Sequence, residues 1–131
     1  MAIQLKRTAD VHLSGVKMLA FGQSGVGKTT LITTLPNPII LSAEAGLLSI
    51  KDSNLPYIEI TTMQELMEAY TWCTESQEAG QFESIAIDSI SEIAEVLLVH
   101  EKKVAKDPRQ AYGSMQDQIM ALIRAFRDIS G

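Results

Sequence analysis

Gly22-Gln23-Ser24-Gly25-Val26-Gly27-Lys28-Thr29 sets two glycines, a lysine and a threonine at the G-x-x-x-x-G-K-[ST] spacing of a phosphate-binding loop. The chemistry follows from the residue types. A loop turning over a helix N-terminus aims several backbone N–H groups at one point, and glycines let that backbone approach a phosphate closely. Lys28 can reach the β- and γ-phosphates, the Thr29 hydroxyl can ligate Mg²⁺, and Thr30 extends the set. Such a loop needs a second anion to hold the metal's water shell. Ile85-Ala86-Ile87-Asp88 supplies it, because three apolar residues place Asp88 at the carboxyl end of a strand, the edge at which α/β sheets bind ligands. Hydrolysis also needs a base for water. The residue after Asp88 is Ser89, so the base is expected elsewhere, and Glu44 in Leu41-Ser42-Ala43-Glu44 follows a core strand onto the same edge. Its rivals are weaker: Glu92 belongs to a helix cap, and Glu95 lies on a polar helix face.

The elements that must position these residues are legible as alternating strand and helix signals. Val16-Lys17-Met18-Leu19-Ala20-Phe21 reads as the buried strand before the loop, and Lys28 to Leu35 as the helix after it, ended by Pro36. Pro38 to Ser42, Leu55 to Ile60 and Ser84 to Asp88 read as further strands, with turn-rich Lys51 to Asn54 between the first two. Thr62 with Glu65, and Ser89 with Glu92, form capping boxes. The first opens a helix running to about Gln77; the second opens one burying Ile90, Ile93, Ala94, Leu97 and Leu98. A last helix is expected from Ser114, burying Met115, Ile119, Leu122, Ile123 and Phe126. Strands alternating with helices predict an α/β fold with a mainly parallel sheet covered on both faces.

The chain has 131 residues, 46% of them hydrophobic and 21% charged, the composition of one ordinary globular domain. No apolar run approaches a membrane span and no apolar stretch follows the N-terminal charges, so the expectation is a cytoplasmic protein with no membrane partner. The single cysteine, Cys73, reads as a packed thiol. A net charge of −5 argues against a general nucleic-acid coat and confines any such contact to one basic cluster, Lys102, Lys103, Lys106 and Arg109, at a helix end running into a Pro-broken loop. Tyr112 just beyond reads as a buried aromatic at a helix start.

Taken together, the loop Gly22–Thr30, the Ile39–Glu44 strand with its glutamate, and the Ile85–Ser89 strand ending in Asp-Ser resemble the ATPase core of RecA/RadA-type recombinases. Among these, the phage-encoded ATPases of recombination and single-strand annealing are the most similar. The resemblance covers about Val16 to Gly131, with residues 1–15 as an N-terminal strand or arm. It implies a three-layer, RecA-like P-loop NTPase using ATP and Mg²⁺, with Lys28 and Glu44 in catalysis, Thr29 and Asp88 on the metal, homo-oligomers, and single-stranded DNA at Lys102, Lys103, Lys106 and Arg109. In that family a strand inserts between the Asp-bearing strand and the phosphate-loop strand. Asp128 to Gly131 reads as the helix end before it, so the core is expected to stop short of a central strand.

Other classes fit less well. No D-x-x-G turn or N-K-x-D motif of a GTPase occurs. A small-molecule kinase would use Arg109, Arg124 and Arg127 as phosphate clamps, and a nucleotide-gated assembly or packaging subunit would bind ATP with little turnover.

Overall fold

The computed structural model describes residues 2–10, 15–23, 26–43 and 45–129. Pro38–Ser42 (β1) is buried along its whole length, as a strand covered on both faces must be. It pairs in parallel with Tyr57–Glu59 (β2) on one side and Ser84–Asp88 (β3) on the other, giving the order β2-β1-β3. The β1–β3 register aligns Pro38 with Ser84 and Ser42 with Asp88, so both strands end at the same edge.

Side chains alternate across β1 and divide the core into two layers. Leu41, Ile60, Leu66, Ala69, Ile93 and Leu97 form one cluster, beneath the helices Met63–Glu75 (α2), Ile90–Val104 (α3) and Pro108–Arg127 (α4). Ile40 and Ala86 face the other way and pack with Ile32 and Ile50. That second layer consists of the short helix Lys28–Leu31 (α1), its 3₁₀ continuation Ile32–Thr34, and a 3₁₀ segment, Ala45–Ser53. The small parallel three-stranded sheet with helices on both faces is consistent with a P-loop-like α/β fold.

Both predicted N-caps form. Thr62 accepts from the Glu65 backbone N–H at 3.1 Å and Ser89 from that of Glu92 at 3.4 Å. Hydrogen bonds from the Thr61 and Thr62 hydroxyls hold the Glu65 carboxyl below its ordinary value. Its support of α2 is therefore complete above about 4.5 and fades as the pH falls through the lower folded value. Cys73 is half-buried against the core, which pushes its thiol pKa up.

Four expectations are corrected. Val16 to Phe21 is not a buried strand: among the described residues nothing pairs with it, and Val16 and Phe21 are 84% and 88% exposed. A strand exists only through its neighbour; β1 has both neighbours filled, and the outer edge of β3 carries no described strand. The arm 2–9 likewise forms no strand.

The last helix begins at Pro108, six residues before Ser114. Asp107 caps it by accepting from the Gln110 N–H at 3.0 Å, and Pro108 occupies the first turn, where its missing N–H costs nothing. Its inner face packs Met115, Ile119, Leu122 and Phe126 on the core, while Ile123 remains 37% exposed. Glu101 is buried between α3 and α4, accepting a hydrogen bond from Gln118 Nε2. Finally, Lys51 to Asn54 is not only a turn, since the 3₁₀ segment runs from Ala45 through Ser53. Among the described residues no helix is long and apolar enough to cross a membrane.

Ile93 is fully buried between sheet and helices, so Ile93→Ala should lower the free energy of unfolding by about 2–5 kcal/mol, read by urea titration. Asp107→Ala should cost about 1 kcal/mol. A silent Asp107→Ala variant would mean that α4 starts at Ser114 after all.

Candidate phosphate and metal site

Gly27 sets the loop's exit. Its φ of 100° lies where only glycine is unstrained, and from there its carbonyl accepts the Leu31 N–H at 3.1 Å, starting α1. Gly22 is needed for space, because a Cβ there would meet Val26 Cγ2 at 3.0 Å. Ser24 and Gly25 lie outside the described residues.

Lys28, on the exposed first turn of α1, folds its ammonium back and donates to the Gly22 carbonyl at 2.6 Å. The loop thereby closes on itself, with the lysine charge held at its rim. The next residue reaches the opposite way: Thr29 Oγ1 donates to Asp88 Oδ2 at 3.1 Å, across 59 residues of sequence. Asp88 is 8% exposed at the end of β3. Its carbonyl accepts the Ala43 N–H at 3.0 Å, which fixes the chain leaving β1 against the same carboxylate-bearing residue.

Thr29 and Asp88 therefore meet, whereas Lys28 turns to the Gly22 carbonyl and Glu44 lies outside the described residues, directly after the anchored Ala43. Ser42 was not singled out from sequence; it is 2% exposed and in register with Asp88. The available signal was the same as for Asp88, a polar residue closing an apolar run.

One hydroxyl and one carboxylate at hydrogen-bond distance suit Mg²⁺, which takes one or two protein oxygens and completes its shell with waters and phosphate. Among the described residues no group of three or more His, Cys, Asp or Glu could hold a metal ion by itself.

The basic cluster does not join this site. Lys102 and Lys103 occupy the last turn of α3, whose start follows Asp88 and Ser89, so about 20 Å of helix separates them from the loop. Lys106 and Arg109 flank the turn into α4, and all four cations are exposed. Tyr112 is 46% exposed rather than buried, with the Lys102 ammonium 5.5 Å from its ring centroid, because α4 already covers this side of α3 with Ala111.

Over residues 14–131 the chain matches a family described as AAA domain, and it belongs to that family. No curated protein and no solved structure matches it. Membership points to a nucleotide-binding, ATPase-type domain, for which Mg²⁺ is typical.

Two outcomes are expected at this site. Lys28→Ala should abolish ATP-Mg²⁺ binding in isothermal titration with the thermal midpoint unchanged, since its side chain is exposed and the core packs elsewhere. Thr29→Val should weaken ATP binding at least about tenfold with Mg²⁺ present and little in EDTA, the outcome expected of a hydroxyl that serves a metal and not the phosphate directly.

Proposed function

We propose that the chain binds ATP with Mg²⁺ on residues Gly22 to Thr30, hydrolyses it with Glu44 as general base, and couples turnover to single-stranded DNA as a homo-oligomer. The setting we infer is cytoplasmic recombination or annealing in a phage or prophage. The observation that carries the nucleotide part is the Thr29–Asp88 hydrogen bond, which joins the loop to the acidic strand end. Preorganisation of this kind is what phosphoryl transfer asks of a protein, because positioning and charge stabilisation do most of the work.

In this reading the Gly22–Thr30 backbone N–H groups and Lys28 neutralise the phosphates, and Thr29 and Asp88 hold the metal and its waters. Bound Mg²⁺ would supply charge neutralisation at the terminal phosphates. Glu44 follows Ala43 in sequence, whose N–H is tied to the Asp88 carbonyl, and in this reading it takes the proton of an attacking water. The DNA part rests on four exposed cations at the α3–α4 turn of an otherwise acidic chain.

A small-molecule kinase finds less support. Arg109 and Arg124 stand at opposite ends of α4, about 22 Å apart along the axis, and Arg127 is paired with Asp128 at 3.0 Å. A phosphate clamp needs its arginines to converge.

Glu44→Gln should keep ATP affinity and lose turnover by about 10²-fold, measured by phosphate release; equal turnover would move the base elsewhere. Replacing Lys102 and Lys106 with Ala should weaken single-strand binding independently of base sequence and reduce the salt slope by about 0.7 per lost contact. ATP affinity should stay put in that variant, and an unchanged salt slope would remove DNA from the reading.

A further inference from the structure

The helix α2 carries a second stripe besides the one it buries. Leu66 and Ala69 face the core, whereas Gln64, Met67, Glu68, Thr71 and Trp72 recur at helical spacing on another face and line a groove of about 470 Å³. Met67 is 51% exposed there, and Trp72 is backed by Phe82, with ring centroids 6.0 Å apart. Glu75 continues the same face by its spacing and Glu78 follows just beyond the helix, both exposed. Between Lys51 and Lys102 the chain has no Lys or Arg, so nothing local offsets these carboxylates. The matching piece is the turn from α3 into α4. Val104, 65% exposed, ends α3 among the exposed Lys102, Lys103, Lys106 and Arg109. Among the described residues none of these cations, and none of Glu68, Glu75 and Glu78, has an ion pair within its own copy.

We propose that, in the DNA-free chain, the α3–α4 turn of one copy docks in the α2 groove of a second copy and that this contact withholds the turn's cations from single-stranded DNA. Val104 enters between Met67 and Trp72, and the cations around it meet Glu68, Glu75 and Glu78. The pieces have the make-up of a specific surface, an apolar centre with complementary charge at its rim. A second copy is the occupant because the chain itself carries the complement: a basic turn with an apolar tip, and an acidic groove with an apolar floor. Nucleic acid is kept out of the groove by like charge. Groove and turn are different surfaces, so the contact is heterologous and repeats head to tail. DNA phosphates must then displace a neighbour's carboxylates to reach the cations, and by linkage a strand that takes the cations releases the neighbour by the same factor. The withholding rests on the single-strand reading above; the docking does not.

Sedimentation velocity at low and high NaCl tests the docking. The unmodified chain should associate in low salt and come apart as salt rises, since screening weakens contacts between exposed charges. Glu68→Lys/Glu75→Lys and Lys103→Glu/Lys106→Glu, all at exposed positions, should each need at least about tenfold more protein to associate. An equal mixture of the two should regain association, because each variant's turn again meets a groove of opposite charge. A chain that stays monomeric in low salt, association that ignores the variants, or a mixture that fails to associate overturns the docking. Met67→Ser, which changes no charge, isolates the withholding. At protein concentrations where the unmodified chain is associated, this variant should bind a fluorescent oligothymidylate at least about fivefold more tightly. Equal affinity overturns the withholding. No binding of the oligonucleotide by Met67→Ser overturns the single-strand reading and the withholding with it, while the charge-swap mixture still decides the docking.

Discussion

The nucleotide reading of this chain depends on one hydrogen bond between two parts far apart in sequence. Thr29 belongs to a four-residue helix at the end of a glycine loop, and Asp88 to the end of a strand in the opposite half of the sequence. A four-residue helix has little dipole and little intrinsic stability, so α1 cannot hold a loop in place unaided. It is held from below by Ile32 in the Ile40–Ile50–Ala86 cluster, and from the side by the hydroxyl on Asp88. The site is therefore a joint, and its two halves keep their spacing because the sheet edge is rigid.

That rigidity comes from β1. All five of its residues are buried with strands on either side, and its register carries Ser42 to the level of Asp88. The bond from the Ala43 N–H to the Asp88 carbonyl then continues the ladder past the strand ends. Chemistry at this edge inherits its precision from main-chain pairing, and the side chains only complete it.

Which parts were legible from sequence follows from how local their causes are. The strands Pro38–Ser42 and Ser84–Asp88 were read to the residue, since continuous apolar runs bounded by turn residues and by Ser or Asp leave few choices. Thr62 and Ser89 announced their helices because a cap is a contact over three residues. Val16 to Phe21 has an equally apolar pattern and is no strand, because pairing is decided by a neighbour that local sequence does not contain. Pro108 was misread for the opposite reason: the same residue breaks a helix interior and favours a helix start, and only the Asp107 cap tells the two apart. At the site, the loop and Asp88 were legible from residue types, whereas the remoteness of the basic cluster was not, since it depends on α3 being one unbroken helix.

That unbroken helix has a mechanical meaning. α3 is pinned at its start by the Ser89 cap beside Asp88 and at its middle by Ile93 and Leu97 in the core, while its far end carries the exposed lysines. Its far half packs on α4, with Leu98 and Glu101 buried and Glu101 bonded to Gln118, so a tilt of α3 carries α4 with it. Over about 20 Å, a tilt of ~5° at the capped end sweeps the tip through roughly 2 Å, more than a hydrogen bond tolerates. A displacement too small to break the contacts around Asp88 is thus amplified into a change of position at Lys102 and Lys103.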